Sequence, residues 1–327
     1  MFRHTVIAAS IALATLASAH AQAPAAPASQ AAPAGVAPVN PPLTIKPLRG
    51  GAYWVEGGIA NTGFVVGDKG VIVIDAQMFV DAAATVQAEI AKITPKPVSQ
   101  IILTHSDRDH VLALPAYPAG TPIIAHEHTR ADMLAASADP AARPASRELK
   151  NFLPTRTVTK REDLVLEGVR VTLLNTASAH TDGDLAVYLP AQKIVFAGDL
   201  VTPGIGDYPG IHLCKRGSSL GWIQSLEAVL ALDADTYISG HGEPLTRAEL
   251  QTRVDAAKVR RSQIQALVGQ GKSLVEVKAA LHDVPLLGLA ARFPTFVETT
   301  YQELTKTGPD CGPPPAPPSA SARPAPG

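Results

Sequence analysis

The sequence has no run of lysine or arginine long enough to follow a phosphate backbone. Its 28 basic residues are balanced by 29 acidic ones, for a formal net charge of −1. Nucleic acid needs a basic footprint, so this balance argues against it as a partner. No apolar stretch reaches the roughly 20 residues of a membrane-spanning helix; the best, about Thr5 to Ser18, stops short. Cysteine is scarce, with Cys214 and Cys311 alone, and no iron–sulfur or flavodoxin-like segment is visible. No convincing G-x-S-x-G string marks a serine nucleophile. Between Leu43 and Thr307 no Pro/Gly-rich linker divides the chain.

At the start, residues 1–21 read MFRHTVIAASIALATLASAHA, a short basic beginning, a run of small apolar residues and small-x-small endings. That is the pattern of a cleaved export signal, and it leads us to expect a periplasmic or secreted protein. No cysteine follows it to suggest a lipid anchor, and no membrane anchor is expected. Residues 22–42 and 308–327 are rich in Ala and Pro. Such segments bury too little to offset the entropy of ordering them and are read as a disordered linker and tail. Residues 43–307, about 265 in number, remain as one large layered domain. A disulfide is permitted in an exported chain, but Cys311 lies in the loose tail, so free thiols and a bridge both stay open.

Short apolar runs recur along the domain, and several end at a polar residue. Ala52–Glu56, Gly63–Val66 and Gly70–Ile74 read as strands, the third ending at Asp75. Val80, Ala83, Val86, Ile90 and Ile93 have helical spacing, stopped by Pro95 and Pro97. Val98–Leu103 reads as a strand ending at His105, and Pro122–Ala125 as one ending at His126. Val169–Leu174 leads to His180, Ile194–Phe196 to Asp199, and Thr236–Ile238 to His241. Helices are expected over Gly221–Leu232, Arg247–Gly269 and Pro294–Lys306. Strand groups followed by helices suit two sheets face to face with helices outside. Loops leaving neighbouring strands would then gather Asp75, His105–His110, His180, Asp199 and His241 at one edge.

Imidazoles and carboxylates gathered on such loops suit zinc or another first-row metal. Four separate segments, each following an apolar strand, carry more weight than the single string THSDRDH at 104–110. His126 and His128 have tempting spacing but start a helix, where capping is the better reading. His212, Cys214, Lys215 and Arg216 share a loop after Asp199. Lys215 or Arg216 could hold a substrate carboxylate or carry only a solvated charge.

The motifs NTGFVVGDKGVIVIDA at 61–76, THSDRDH at 104–110, AHTDGDLAVYLP at 179–190, FAGDL at 196–200 and SGHGEP at 239–244 resemble those of the metallo-β-lactamase-fold hydrolases, over about Thr44 to Glu243. The resemblance implies an αββα four-layer sandwich with one or two divalent metals at its edge. Zinc is expected, with iron or manganese as alternatives. It places His105 and His180 at a first metal, Asp109, His110 and His241 at a second, and Asp199 between them. Asp75 would steady the His105 loop from behind the ligands. The departure is Asp107, where the family pattern His-x-His-x-Asp-His has its second His. We expect Asp107 to ligate; the competing reading pairs it with Arg108. A carboxylate there lowers the net charge of a two-metal site with bridging hydroxide from about +1 to about zero, a weaker Lewis acid.

The implied activity is hydrolysis of an ester, lactone, thioester or amide bond in a small-molecule substrate by a metal-bound hydroxide, which Asp109 orients. A β-lactam is one candidate. Alternatives are a di-iron redox protein of the same fold and a non-catalytic metal-binding module. Oligomeric state is not legible.

Overall fold

The computed structural model describes residues 42–202, 208–286, 291, 293–309 and 311. The expected export signal and all but the last residue of the linker lie outside them, as do residues 312–327 of the tail. Among the described residues, thirteen strands form two sheets. The first has the order β1 (Thr44–Pro47), β2 (Ala52–Glu56), β3 (Thr62–Val66), β4 (Val71–Ile74), β5 (Val98–Ile102), β6 (Ile123–His126) and β7 (Arg156–Val158). The second comprises β8 (Arg161–Leu166), β9 (Val169–Leu174), β10 (Ala186–Leu189), β11 (Ile194–Gly198), β12 (Thr236–Ser239) and β13 (Leu245–Thr246), again side by side in chain order. The helices are α1 (Val80–Ile93), α2 (Arg108–Val111), α3 (Glu127–Ala138), α4 (Pro144–Glu148), α5 (Ser219–Leu230), α6 (Arg247–Gly269), α7 (Leu274–Ala280) and α8 (Phe296–Thr305).

Alternation along the strands builds the layers, because successive side chains leave a strand on opposite faces. Ile72, Ile74 and Ile102 face Leu173, Val187, Leu189 and Phe196 of the other sheet in a central core. Their neighbours Val71, Val73, Ile101 and Leu103 turn outward onto Ala83, Val86 and Ile90 of α1. On the second sheet, Ala186, Tyr188, Val195 and Tyr237 turn outward onto α5, α6 and α8 through Trp222, Leu226, Leu250, Val254 and Phe296. Both faces of the inner strands are therefore buried. That explains why β4 is apolar at every position where a half-exposed strand would alternate. The expected αββα sandwich is the observed one.

Several expectations fell short. β1, β7, β13, α4 and α7 were not read from the sequence. The three strands are short, of two to four residues, at sheet edges, and β1 carries Lys46 and Pro47, residues that weaken a strand signal. The start of α7 did leave a signal: Ser273 and Glu276 form a reciprocal capping box of the Ser-x-x-Glu type. The tail is also not loose throughout, since Cys311 is disulfide-bonded to Cys214, 97 residues away in sequence. Composition carries no signal for a crosslink, which needs only one residue of the segment. Among the described residues, no helix is long and apolar enough to cross a membrane.

Candidate metal centre

The site begins at the carboxyl ends of β4 and β5. Asp75 follows β4 with φ of 63°, a left-handed conformation that Asp tolerates better than most residues. There its carboxylate accepts from the Thr104 backbone N–H at 2.8 Å and hydroxyl at 2.7 Å, and from His110 Nδ1 at 2.8 Å. The Thr104 hydroxyl in turn accepts from His105 Nδ1 at 3.0 Å. Asp75 thus steadies the loop as expected, and reaches His105 through Thr104 while holding His110 directly. The single turn α2 then sends Asp109 and His110 inward. Asp107 occupies the N-cap position of α2 without capping it, which frees its carboxylate for the cavity.

Three other loops complete the cluster. His180, between β9 and β10, donates Nδ1–H to the Gly210 carbonyl at 2.7 Å. His241, after β12, donates Nδ1–H to the Ile59 carbonyl at 2.9 Å. Asn61 clamps this loop through Ser239 and Gly242 carbonyls at 2.9 and 2.8 Å. Asp199 leaves β11 after Gly198, whose φ is +52°, and a Cβ at Gly198 would lie 2.4 Å from Thr104 Oγ1. Only glycine lets these two loops meet.

All four histidines therefore spend Nδ1–H on a fixed acceptor and present Nε2 to the centre. Such an outer bond sets both the tautomer and the ring angle of a metal-ligating imidazole. His105, Asp107, His180 and Asp199 form one group of converging donor atoms, and Asp109, His110 and His241 form another. Asp199 lies against both: its Oδ2 is 3.7 Å from His180 Nε2 and 3.4 Å from His241 Nε2, and its Oδ1 is 3.2 Å from His110 Nε2. His241 Nε2 is 3.3 Å from Asp109 Oδ2. Ligands at bonds of about 2.0–2.2 Å around a tetrahedral ion stand about 3.3–3.6 Å apart, so the spacing suits a first-row metal.

Polar accounting agrees. His105 Nε2, His110 Nε2, His241 Nε2, Asp109 Oδ2 and Asp199 Oδ1 are buried without a hydrogen-bond partner. Buried donors and acceptors left this way are costly, and their gathering in the two adjoining groups asks for a cation. Electrostatics point the same way. Burial opposes a charged His180, but its bond to Asp107 pushes the imidazole up to about 9. Burial likewise opposes charge on His241, yet Asp199 and Asp109 push it up to about 10. For Asp199, burial raises the carboxyl, and His241 and His110 outweigh it, holding the group well below the usual range. A cavity that draws protons onto imidazoles against burial draws other cations too.

All seven residues expected as ligands are thus brought together. Arg108 is exposed, and the cation beside Asp107 is Lys215, with Nζ 2.6 Å from Oδ1. His212 Nε2 also donates to Asp107 Oδ2, at 2.7 Å. The sequence put His212 and Lys215 in the right loop but did not connect them to Asp107. Arg216 points elsewhere, to Asp182 at 2.8 Å and Asp132 at 2.9 Å. His126 caps α3 by accepting from the His128 backbone N–H, as expected. Leu112 and Ala113, which follow the ligand-bearing turn, are buried in the core beside α1. In the segment Gly217–Gly221, Ser219 is fully buried and its hydroxyl donates to Glu303.

A family model described as the metallo-beta-lactamase superfamily matches residues 55–241. The α subunit of a 2,4-dinitroanisole O-demethylase from Nocardioides sp. (strain JS1661) is 28% identical over 214 residues, 65% of this chain and 61% of that protein. A linear primary-alkylsulfatase from Pseudomonas sp. (strain ATCC 19151) is 26% identical over 219 residues, 55% of this chain and 41% of the relative. The chain thus spans about half the length of these curated relatives. Among solved structures, a stereoselective inverting sec-alkylsulfatase from Pseudomonas sp. superposes with a TM-score of 0.62 at 19% identity, over 80% of this chain and 50% of that one. At such identity the likeness speaks for the fold alone.

Proposed function

The chain belongs to the metallo-beta-lactamase superfamily, and we propose that it is a metal-dependent hydrolase of small molecules that cleaves a bond to an oxygen leaving group. The observation that carries this reading is the set of buried, unpartnered donor atoms on His105, His110, His241, Asp109 and Asp199. His105, His180, His110, His241, Asp109 and Asp199 would hold the metal, with Asp107 at its margin. We take zinc as the ion, with iron and manganese as the alternatives to be measured. Bound there, it supplies a Lewis acid and a water of lowered pKa.

The chain's own groups do the rest. Asp109 faces the cavity beside His241, where it would orient the attacking water as well as hold the metal. The outer bonds of Asp75, Gly210 and Ile59 hold the imidazoles in place through the reaction, so little reorganisation is needed. Asp107 is paired with Lys215 at 2.6 Å, so its carboxylate adds little net negative charge to the centre. Two relatives named for an alkyl sulfate and for an O-methyl group support the choice of a bond to oxygen. We further propose that the protein works in the periplasm or outside the cell, a reading the Cys214–Cys311 bond supports, since disulfides persist in oxidising compartments.

The test is a panel of p-nitrophenyl acetate, p-nitrophenyl sulfate, a γ-lactone, nitrocefin and 2,4-dinitroanisole, assayed before and after chelation. Turnover of an ester or sulfate ester should vanish with the metal and return with zinc. Turnover that survives complete metal removal would overturn the reading, and a preference for nitrocefin would overturn the choice of bond.

A further inference from the structure

The two halves of the centre are not equivalent. Four unpartnered donors lie around Asp109: its own Oδ2, His110 Nε2, His241 Nε2 and Asp199 Oδ1. On the Asp107 side, only His105 Nε2 is left without a partner. Asp107 itself is already engaged. Its Oδ1 accepts from Lys215 Nζ at 2.6 Å, and its Oδ2 from His212 Nε2 at 2.7 Å. His180 Nε2 stands 3.3 Å from the same Oδ2.

Lys215 is held there by its surroundings. Its backbone N–H donates to the His212 carbonyl at 2.9 Å, and its carbonyl accepts from Asp182 N–H at 3.0 Å. The next residue, Arg216, is anchored to Asp182 and Asp132. The preceding residue, Cys214, is bonded to Cys311. Nζ also donates to Ser106 Oγ at 2.9 Å. An ammonium so fixed is a positive charge beside the ligand set. It can neutralise Asp107 as a metal would, and it repels a divalent ion placed against the same carboxylate.

We propose that Lys215 is a built-in counter-cation of the Asp107 subsite. The centre then takes one metal ion tightly, at Asp109, His110, His241 and Asp199, and a second, at His105, His180 and Asp107, only weakly. The proposal rests on the metal-centre reading above. It goes further in assigning to a lysine the charge that a second metal supplies in a symmetric two-metal site. Lys215 is a positioning residue here, acting on the metal through Asp107.

The experiment is equilibrium dialysis of the metal-stripped protein against buffered zinc, with metal per chain read by mass spectrometry. It compares the wild type, Lys215→Met and Lys215→Arg. The wild type should bind one equivalent, and the second only at free zinc about tenfold or more higher. Lys215→Met keeps the length of the side chain and removes its charge. It should fill both sites and strengthen the second by about tenfold or more, the direction set by removing one like charge at close range. Lys215→Arg, which keeps the charge, should behave as the wild type. Zinc should also raise the melting temperature of Lys215→Met more than that of the wild type, a readout independent of turnover. Two equivalents of equal affinity in the wild type, or an unchanged second affinity in Lys215→Met, would refute the assignment. Failure of the wild type and both variants alike to bind zinc would instead refute the metal centre itself.

Discussion

Asp75→Asn tests whether the imidazole tautomers are set from behind the site. The amide has the shape of the carboxylate, and Asn tolerates the left-handed backbone at φ 63° as well as Asp does, so the turn should survive. The hydrogen bonds cannot. Asp75 Oδ2 accepts from both the Thr104 hydroxyl and His110 Nδ1, while Oδ1 accepts from Thr104 N–H. Asn keeps its oxygen for Thr104 N–H and places an NH2 where Oδ2 was. That donor faces His110 Nδ1–H unless the ring shifts its proton to Nε2, the atom needed for metal. Each hydrogen bond to a charged group is worth about 1.5–3 kcal/mol, enough to force the exchange. Loss of such an outer partner typically lowers metal affinity by about 10- to 100-fold, or about 1.4–2.7 kcal/mol. Zinc dialysis on Asp75→Asn should show that loss with the fold intact by circular dichroism. Affinity within about threefold of the wild type would refute the argument that Asp75 fixes the His110 tautomer.

Other expectations are as direct. Gly240→Ala would put a Cβ 2.0 Å from Asp199 Oδ1, so we expect a protein that folds but loses at least about tenfold in zinc affinity, read by dialysis. Deleting residues 312–327 should leave the melting temperature unchanged. Deleting 308–327, or replacing Cys214 and Cys311 by Ser, should cost about 2–4 kcal/mol by urea unfolding, because the Cys214–Cys311 bond is lost. Protein taken from the native host should begin near Gln22 by N-terminal sequencing; an intact Met1 in the soluble fraction would count against export.

The elements easiest to read in the sequence were those whose own packing wrote the pattern. α1 buries Ala83, Val86 and Ile90 on one face, and the period of those residues gave its bounds. α6 spans the expected Arg247–Gly269, and the structure adds a reciprocal cap of Thr246 and Glu249 at its start. β7 and β13, with three and two residues, are too short for any period to register, and their strand character comes from pairing with β6 and β12. Pairing depends on residues far away in sequence, such as Val71 of β4 beside Val98 of β5. It was legible only as a consequence of the family likeness.

The site divides along the same line. His105, Asp109, His110, His180, Asp199 and His241 each follow an apolar strand or lie on one tight turn, so local pattern delivered them. Lys215 could not be found that way. Its role depends on a loop brought back over the cluster, 108 residues after Asp107, by the Cys214 link and by His212 N–H bonded to the His180 carbonyl at 2.8 Å. From the string alone, Arg108 was the cation nearest to Asp107. The turn of α2 explains why it is not: Asp107 and Asp109 are buried at 4% exposure each, and Arg108 between them is exposed. Asp107 precedes the helix in extended backbone, so the loop directs its carboxylate inward, while α2 itself buries Asp109, His110 and Val111 and leaves Arg108 on its solvent side. The charge that accompanies Asp107 had to come from another loop, and the structure supplies it from the one stapled to the C-terminal tail.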